Sequence, residues 1–95
     1  MIIELYGESL GSEGDFHEAL ANALDLSEFY GRNLDALWDV LSIDVERPLQ
    51  LVWINSEKSK QAMGARFDQI VKILRRVEQY DLEAKYKNRF ELALK

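Results

Sequence analysis

Two aspartates one helical turn apart, Asp35 and Asp39, stand in the run Phe29-Tyr30-Gly31-Arg32-Asn33-Leu34-Asp35-Ala36-Leu37-Trp38-Asp39. Helix positions i and i+4 are neighbours, and like charges there destabilise an isolated helix by about 0.2–0.5 kcal/mol. Such a pair could act in acid–base catalysis, ligate a metal or face a cationic partner. A metal site needs more ligands, and the one histidine, His17, belongs to another segment. Asp35 falls in the first helical turn, where the helix dipole favours an acid. Asp39 has no such compensation, because its neighbours at three and four residues are Asp35, Ala36, Ser42 and Ile43. It is either an exposed solubilising acid or a group awaiting an external cation.

The remaining candidates for chemistry are weaker. Gly7, Gly11 and Gly14 follow a strand and precede a helix, but their spacing fits neither a dinucleotide fingerprint nor a P-loop, and Glu8 and Glu13 would repel phosphate. His17 reads as a surface residue on the first helix. No Ser/His/Asp or Gly-x-Ser-x-Gly arrangement is present, so no enzyme and no cofactor is implied. Tyr30 suits either recognition or burial with a bonded hydroxyl. Trp38 and Trp53 read as core, with Trp38 adjoining the acidic strip.

Charge sharpens this picture. Net charge is −5. Residues 25–46 hold Asp25, Glu28, Asp35, Asp39, Asp44 and Glu46 against Arg32 alone, six acids minus one base, which equals the whole excess. Residues 1–24 add five acids and no base, whereas residues 47–95 carry eleven bases and six acids. An acidic face suits a cationic partner and repels nucleic acid. Lys72, Arg75, Arg76, Lys85, Lys87 and Arg89 make RNA binding the contrary possibility, but they read as a solvated helix end and loop.

The elements that must position these groups follow from periodicity. Ile2 to Tyr6 reads as a buried strand. Ser12 and Asp15 form a capping-box pattern, ahead of Phe16, Ala19, Leu20, Ala23 and Leu24 at helical spacing. Gly31 breaks that pattern. Asn33 is a good N-cap for a second helix carried by Leu34, Leu37, Trp38 and Leu41, with Asp35 and Asp39 on the flank of its apolar face. Pro48 to Ile54 reads as a central strand. A polar stretch leads to a long helix marked by Phe67, Ile70, Val71, Ile73, Leu74 and Val77, then a polar connection over residues 81–88. Phe90, Leu92 and Leu94 alternate as a third strand. This order predicts an α/β fold, a small three-stranded parallel sheet packed with helices, as a single domain over residues 1–95. Zero cysteines exclude disulfides. No signal peptide or membrane span is discernible, so a cytoplasmic protein without membrane contact is expected.

Residues 30–39 resemble the signature of the barstar family, intracellular inhibitors of barnase-type ribonucleases. The likeness extends without gaps through Leu41, Val45-Glu46, Pro48-Leu49, Leu51, Trp53 and Ser59-Lys60-Gln61, covering roughly residues 12–77, and the last strand matches in character. The resemblance implies a barstar-like fold and an inhibitor that plugs a ribonuclease active site with the second helix and the loop before it. Asp39 would take the phosphate position and Asp35 would pair with a second basic side chain. Phe29, Tyr30, Gly31, Asn33, Leu34 and Ala36 would pack around them, with Trp38 at one edge and Ser42, Asp44 and Glu46 at the rim. The long helix would contribute Ile73 and position 76. There the family pattern has an acid and this chain has Arg76, Asp44 replaces an aromatic, and Arg32 adds a base to the acidic loop; these departures point to a different cognate nuclease or to a partner carrying an acid opposite Arg76.

The sequence therefore predicts an immunity-type ribonuclease inhibitor acting by phosphate mimicry, in a heterodimer with a basic ribonuclease or nuclease toxin domain. The alternative is an acidic interaction module with a non-nuclease partner.

Overall fold

A computed structural model describes all 95 residues. Three strands, β1 (Ile2–Tyr6), β2 (Leu49–Ile54) and β3 (Phe90–Leu94), pair in parallel in the order β1-β2-β3. Parallel neighbours require crossovers. Between β1 and β2 run α1 (Glu13–Leu24) and α2 (Leu34–Asp39), and between β2 and β3 run α3 (Ser56–Met63) and α4 (Ala65–Glu83). The α/β class and the three-stranded parallel sheet are as the sequence predicts.

Register explains which side of the sheet is buried. Ile3, Leu51 and Leu92 align across the strands, as do Leu5, Trp53 and Leu94, and all but Leu94 are buried under the helices. On the opposite face Ile2 and Tyr6 are exposed. β1 is thus an edge strand buried at alternate residues rather than throughout, because the helices cover one face only. Trp53 centres the core, stacked on Phe16 at 5.1 Å and against Phe67 at 4.9 Å. Its indole N–H donates to Ser59 Oγ at 3.1 Å, and that hydroxyl donates to the Gly7 carbonyl at 3.1 Å. Gly7 permits this junction of the chain leaving β1 with the chain leaving β2: a Cβ there would stand 1.9 Å from the Asn55 carbonyl oxygen. Close backbone approach, not a phosphate cradle, explains the glycine.

The helices bring four corrections. The stretch read as polar before Phe67 contains α3, whose only buried residues are Ser56 and Ser59, so it lacks the apolar stripe that periodicity detects. The buried stripe of α1 is Phe16, His17, Leu20 and Ala21, while Ala23 is exposed; His17 is not a surface residue but fully buried. The supposed polar connection from residue 81 is helical through Glu83. Asp81 itself is fully buried, in the place that Phe67, Ile70, Leu74 and Val77 assign to the next core residue.

Candidate acidic recognition site

The site begins with a cap. Asn33 Oδ1 accepts from the Ala36 N–H at 2.8 Å, fixing the start of α2, and Asn33 Nδ2 donates to the Gly31 carbonyl at 3.2 Å. Gly31 allows the loop to lie against the helix, since a Cβ there would come within 3.1 Å of Ala36 Cβ. Arg32 takes a left-handed conformation (φ 50°) to make the turn. Its side chain leaves the acidic strip, pairing with Glu18 at 3.3 Å.

Leu37 and Leu41 are fully buried, and Leu34 and Trp38 half-buried, so the apolar face of α2 is the one the sequence predicts. Asp35 and Asp39 are exposed beside it. After Asp39 the helix widens into a π-helical turn over Val40–Asp44, in which Val45 N–H donates to the Val40 carbonyl at 3.0 Å. Nothing in the residue pattern signals this change, which uses hydrogen bonds from i to i+5 in place of i+4. Ser42 is turned inward, its hydroxyl donating to the Trp38 carbonyl at 2.6 Å.

The widened turn helps enclose a cavity of about 660 Å³ between α1, the loop and α2. Asp25, Asp39, Asp44 and Glu46 line it together with Leu24, Leu26, Tyr30, Val40 and the exposed Phe29; no Lys, Arg or His side chain reaches it, and Met1, which also lines it, directs its terminal ammonium to the Pro48 carbonyl at 3.0 Å. None of Asp35, Asp39, Asp44 or Glu46 forms an ion pair within the chain. No group of three or more His, Asp or Glu side chains converges as a metal site.

The fold thus brings Phe29, Tyr30, Gly31, Ala36, Asp39, Asp44 and Glu46 together around one cavity. Asn33, Leu34 and Asp35 lie at the start of α2. Trp38 turns to the other flank, where the Arg76 guanidinium stands 4.6 Å from its ring centroid. Ile73 is half-buried on α4, packed against the core.

The family model described as Barstar (barnase inhibitor) matches residues 1–95. The chain belongs to the barstar family. It is also 40% identical over 63 residues to a Bacillus subtilis (strain 168) protein named as a candidate ribonuclease inhibitor, YrdF, an alignment spanning 66% of this chain and 69% of that protein. No helix is long and apolar enough to cross a membrane.

In this barstar-family chain the loop before α2 is anchored to α1 by a buried histidine that sequence reading assigns to the surface. His17 Nδ1 lies 2.6 Å from the Tyr30 hydroxyl and His17 Nε2 lies 2.8 Å from Glu13 Oε2. A carboxylate only accepts, so in the neutral imidazole Nε2 carries the proton and Nδ1 accepts from Tyr30. Burial pushes the Tyr30 hydroxyl well above its ordinary pKa, with Arg32 opposing and Glu13 adding to the shift; it remains a donor. Tyr30 therefore lines the cavity with its ring while its hydroxyl is tied to α1. A helical wheel offers the missing signal, since His17 precedes Leu20 and Ala21 by three and four residues. Asp25, Leu24 and Leu26 were missed because only tertiary folding carries the end of α1 to α2.

Proposed function

We propose that this chain inhibits a basic ribonuclease of the barnase type by lodging α2 and the loop before it in the substrate cleft, its carboxylates standing where RNA phosphates bind. The observation that carries this is Asp39, exposed and unpaired at a partly apolar cavity with three further acids and no Lys, Arg or His side chain. A lining of apolar and acidic groups suits a long cationic side chain, whose stem is apolar and whose head is charged. Asp39 would accept hydrogen bonds from the Arg, Lys or His groups that hold a phosphate during catalysis, and Asp35 from a second base. Phe29, Tyr30, Gly31, Asn33, Leu34 and Ala36 would pack around these contacts. Ser42, Asp44 and Glu46 would form one rim, and Trp38, Ile73 and Arg76 the other.

Family membership and the likeness to YrdF support the inhibitor role. The acidic surface supports the mechanism, because clustered exposed charge of one sign steers an oppositely charged partner and is screened by salt. Inhibition of this kind needs no cofactor and no turnover. In the cytoplasm it would protect a cell from its own nuclease or from a competitor's toxin domain. The test is cleavage of RNA by a panel of barnase-type ribonucleases titrated with this chain. Complete loss of activity of at least one enzyme at equimolar inhibitor is expected, and full activity of every enzyme at about tenfold molar excess would overturn the reading.

A further inference from the structure

Four of the six arginines are paired within the chain: Arg32 with Glu18 at 3.3 Å, Arg47 with Asp81 at 2.8 Å, Arg66 with Glu13 at 3.4 Å and Arg75 with Glu78 at 3.0 Å. Arg76 is not. Its guanidinium lies 4.6 Å from the Trp38 ring centroid, and Tyr80 stands edge-on to the same ring at 6.0 Å. The three side chains border a shallow groove of about 310 Å³. The one carboxylate lining that groove, Glu83, already accepts from Gln79 Nε2 at 3.1 Å.

Stacking engages the face of a guanidinium and leaves the N–H groups on its edge free for two parallel bonds to a carboxylate. A ring beneath it also limits the conformations that binding must freeze. Asp35 precedes Trp38 by three residues on α2 and so neighbours it on the helix surface, so a partner that pairs with Asp35 also reaches the ground next to Arg76. A guanidinium stripped of water without an acceptor is strongly unfavourable. A second basic group placed against it would be worse.

We infer that Arg76 is a specificity-determining residue that receives an aspartate or glutamate of the partner nuclease. This rests on the inhibitor reading above and extends it: the recognition surface is bipolar, taking a base into the acidic cavity on one flank of α2 and an acid onto Arg76 on the other. Nucleases with Lys or Arg at the second place are rejected by like charge, a repulsive element that attraction alone would not supply.

A charge-swap selection tests this. Catalytically disabled barnase, randomised at surface positions bordering its cleft and displayed on phage, is selected in parallel against the wild-type chain and against Arg76→Glu, with Asp39→Ala as a third bait. The wild type is expected to enrich Asp or Glu at one bordering position and Arg76→Glu to enrich Lys or Arg there. Exchanging the selected partners should weaken binding at least about tenfold, with thermal midpoints of the baits unchanged. If both charged baits enrich the same residues while Asp39→Ala loses those binders, the assignment of Arg76 is overturned and the inhibitor reading stands. No binder to any bait overturns both.

Discussion

Asp81 and Asp39 are the same residue type on two helices, in opposite surroundings. Asp81 is wholly buried near the end of α4 and accepts from Arg47 Nε at 2.8 Å, Arg47 Nη2 at 3.1 Å and the Phe90 N–H at 2.7 Å. Burial pushes its carboxyl up, but the Arg47 hydrogen bonds, the Phe90 N–H and the charges of Arg47 and Arg89 outweigh that, holding it below the usual carboxylate range. Asp39 is exposed at the end of α2 and no cation of the chain pairs with it. Asp81 joins the end of α4 to the segments leading into β2 and β3, so its bonds are completed by folding. No group of the chain supplies an ion pair to Asp39. What separates the two is whether the fold supplies the counter-charge, and in the function proposed above the partner would supply it to Asp39.

The contrast can be broken first at Asp81. Asp81→Ala leaves Arg47 facing a buried void and should cost about 3–5 kcal/mol of folding stability, measured by urea unfolding. A loss below about 1 kcal/mol would mean that the buried pair does not organise the fold. Because the pKa of Asp81 is lowered on folding, its contribution is fully present above the unfolded carboxylate pKa of about 3.9 and is lost as pH falls through the lower folded value. Urea midpoints of the wild type should decline over that acid window more steeply than those of Asp81→Asn.

A smaller effect is expected where the loop before α2 is tied to α1. Tyr30→Phe keeps the ring in the cavity but leaves buried His17 Nδ1 without its partner, for a loss of about 1–3 kcal/mol by the same measurement. No loss would show that the loop is held by packing alone. Asn33→Ala removes the cap of α2 and should cost about 1 kcal/mol, seen as a lowered thermal midpoint. It should also weaken binding, because the cap fixes the direction in which Asp35 and Asp39 project.

These residues also show what the sequence could disclose. The Asn33 cap, the Ser12 cap with its bond to Asp15 N–H at 3.1 Å, and the three strands were legible because their signals lie within a few residues. α2 was legible through its apolar stripe, and the lack of a local base for Asp39 through its i±3 and i±4 neighbours. His17 and Asp81 were misread because in each case a partner that holds the side chain in the interior is distant: Tyr30 lies 13 residues from His17, beyond the local Glu13, and Arg47 lies 34 residues from Asp81. In each case the polar residue continues an apolar stripe, and that continuation was the available clue. The cavity was not legible, since it depends on a π-helical turn and on the end of α1, the following loop and α2 lining one space. Arg76 was visible as a reversed charge, but only the structure shows it stacked on Trp38.

The most direct measurement uses Asp39→Asn, which keeps the side chain's shape and removes its charge. Affinity for a barnase-type ribonuclease inhibited by the wild type should be compared by calorimetry at fixed salt, alongside urea unfolding of both proteins. The expected loss of binding is about 2–5 kcal/mol, the range for truncating one member of a desolvated charge pair, with barnase and barstar themselves as the reference case. Folding stability should change by no more than about 0.5 kcal/mol. Unchanged affinity would contradict the account, because Asp39, a carboxylate that the fold leaves unpaired at the cavity, would then not be one that the partner uses.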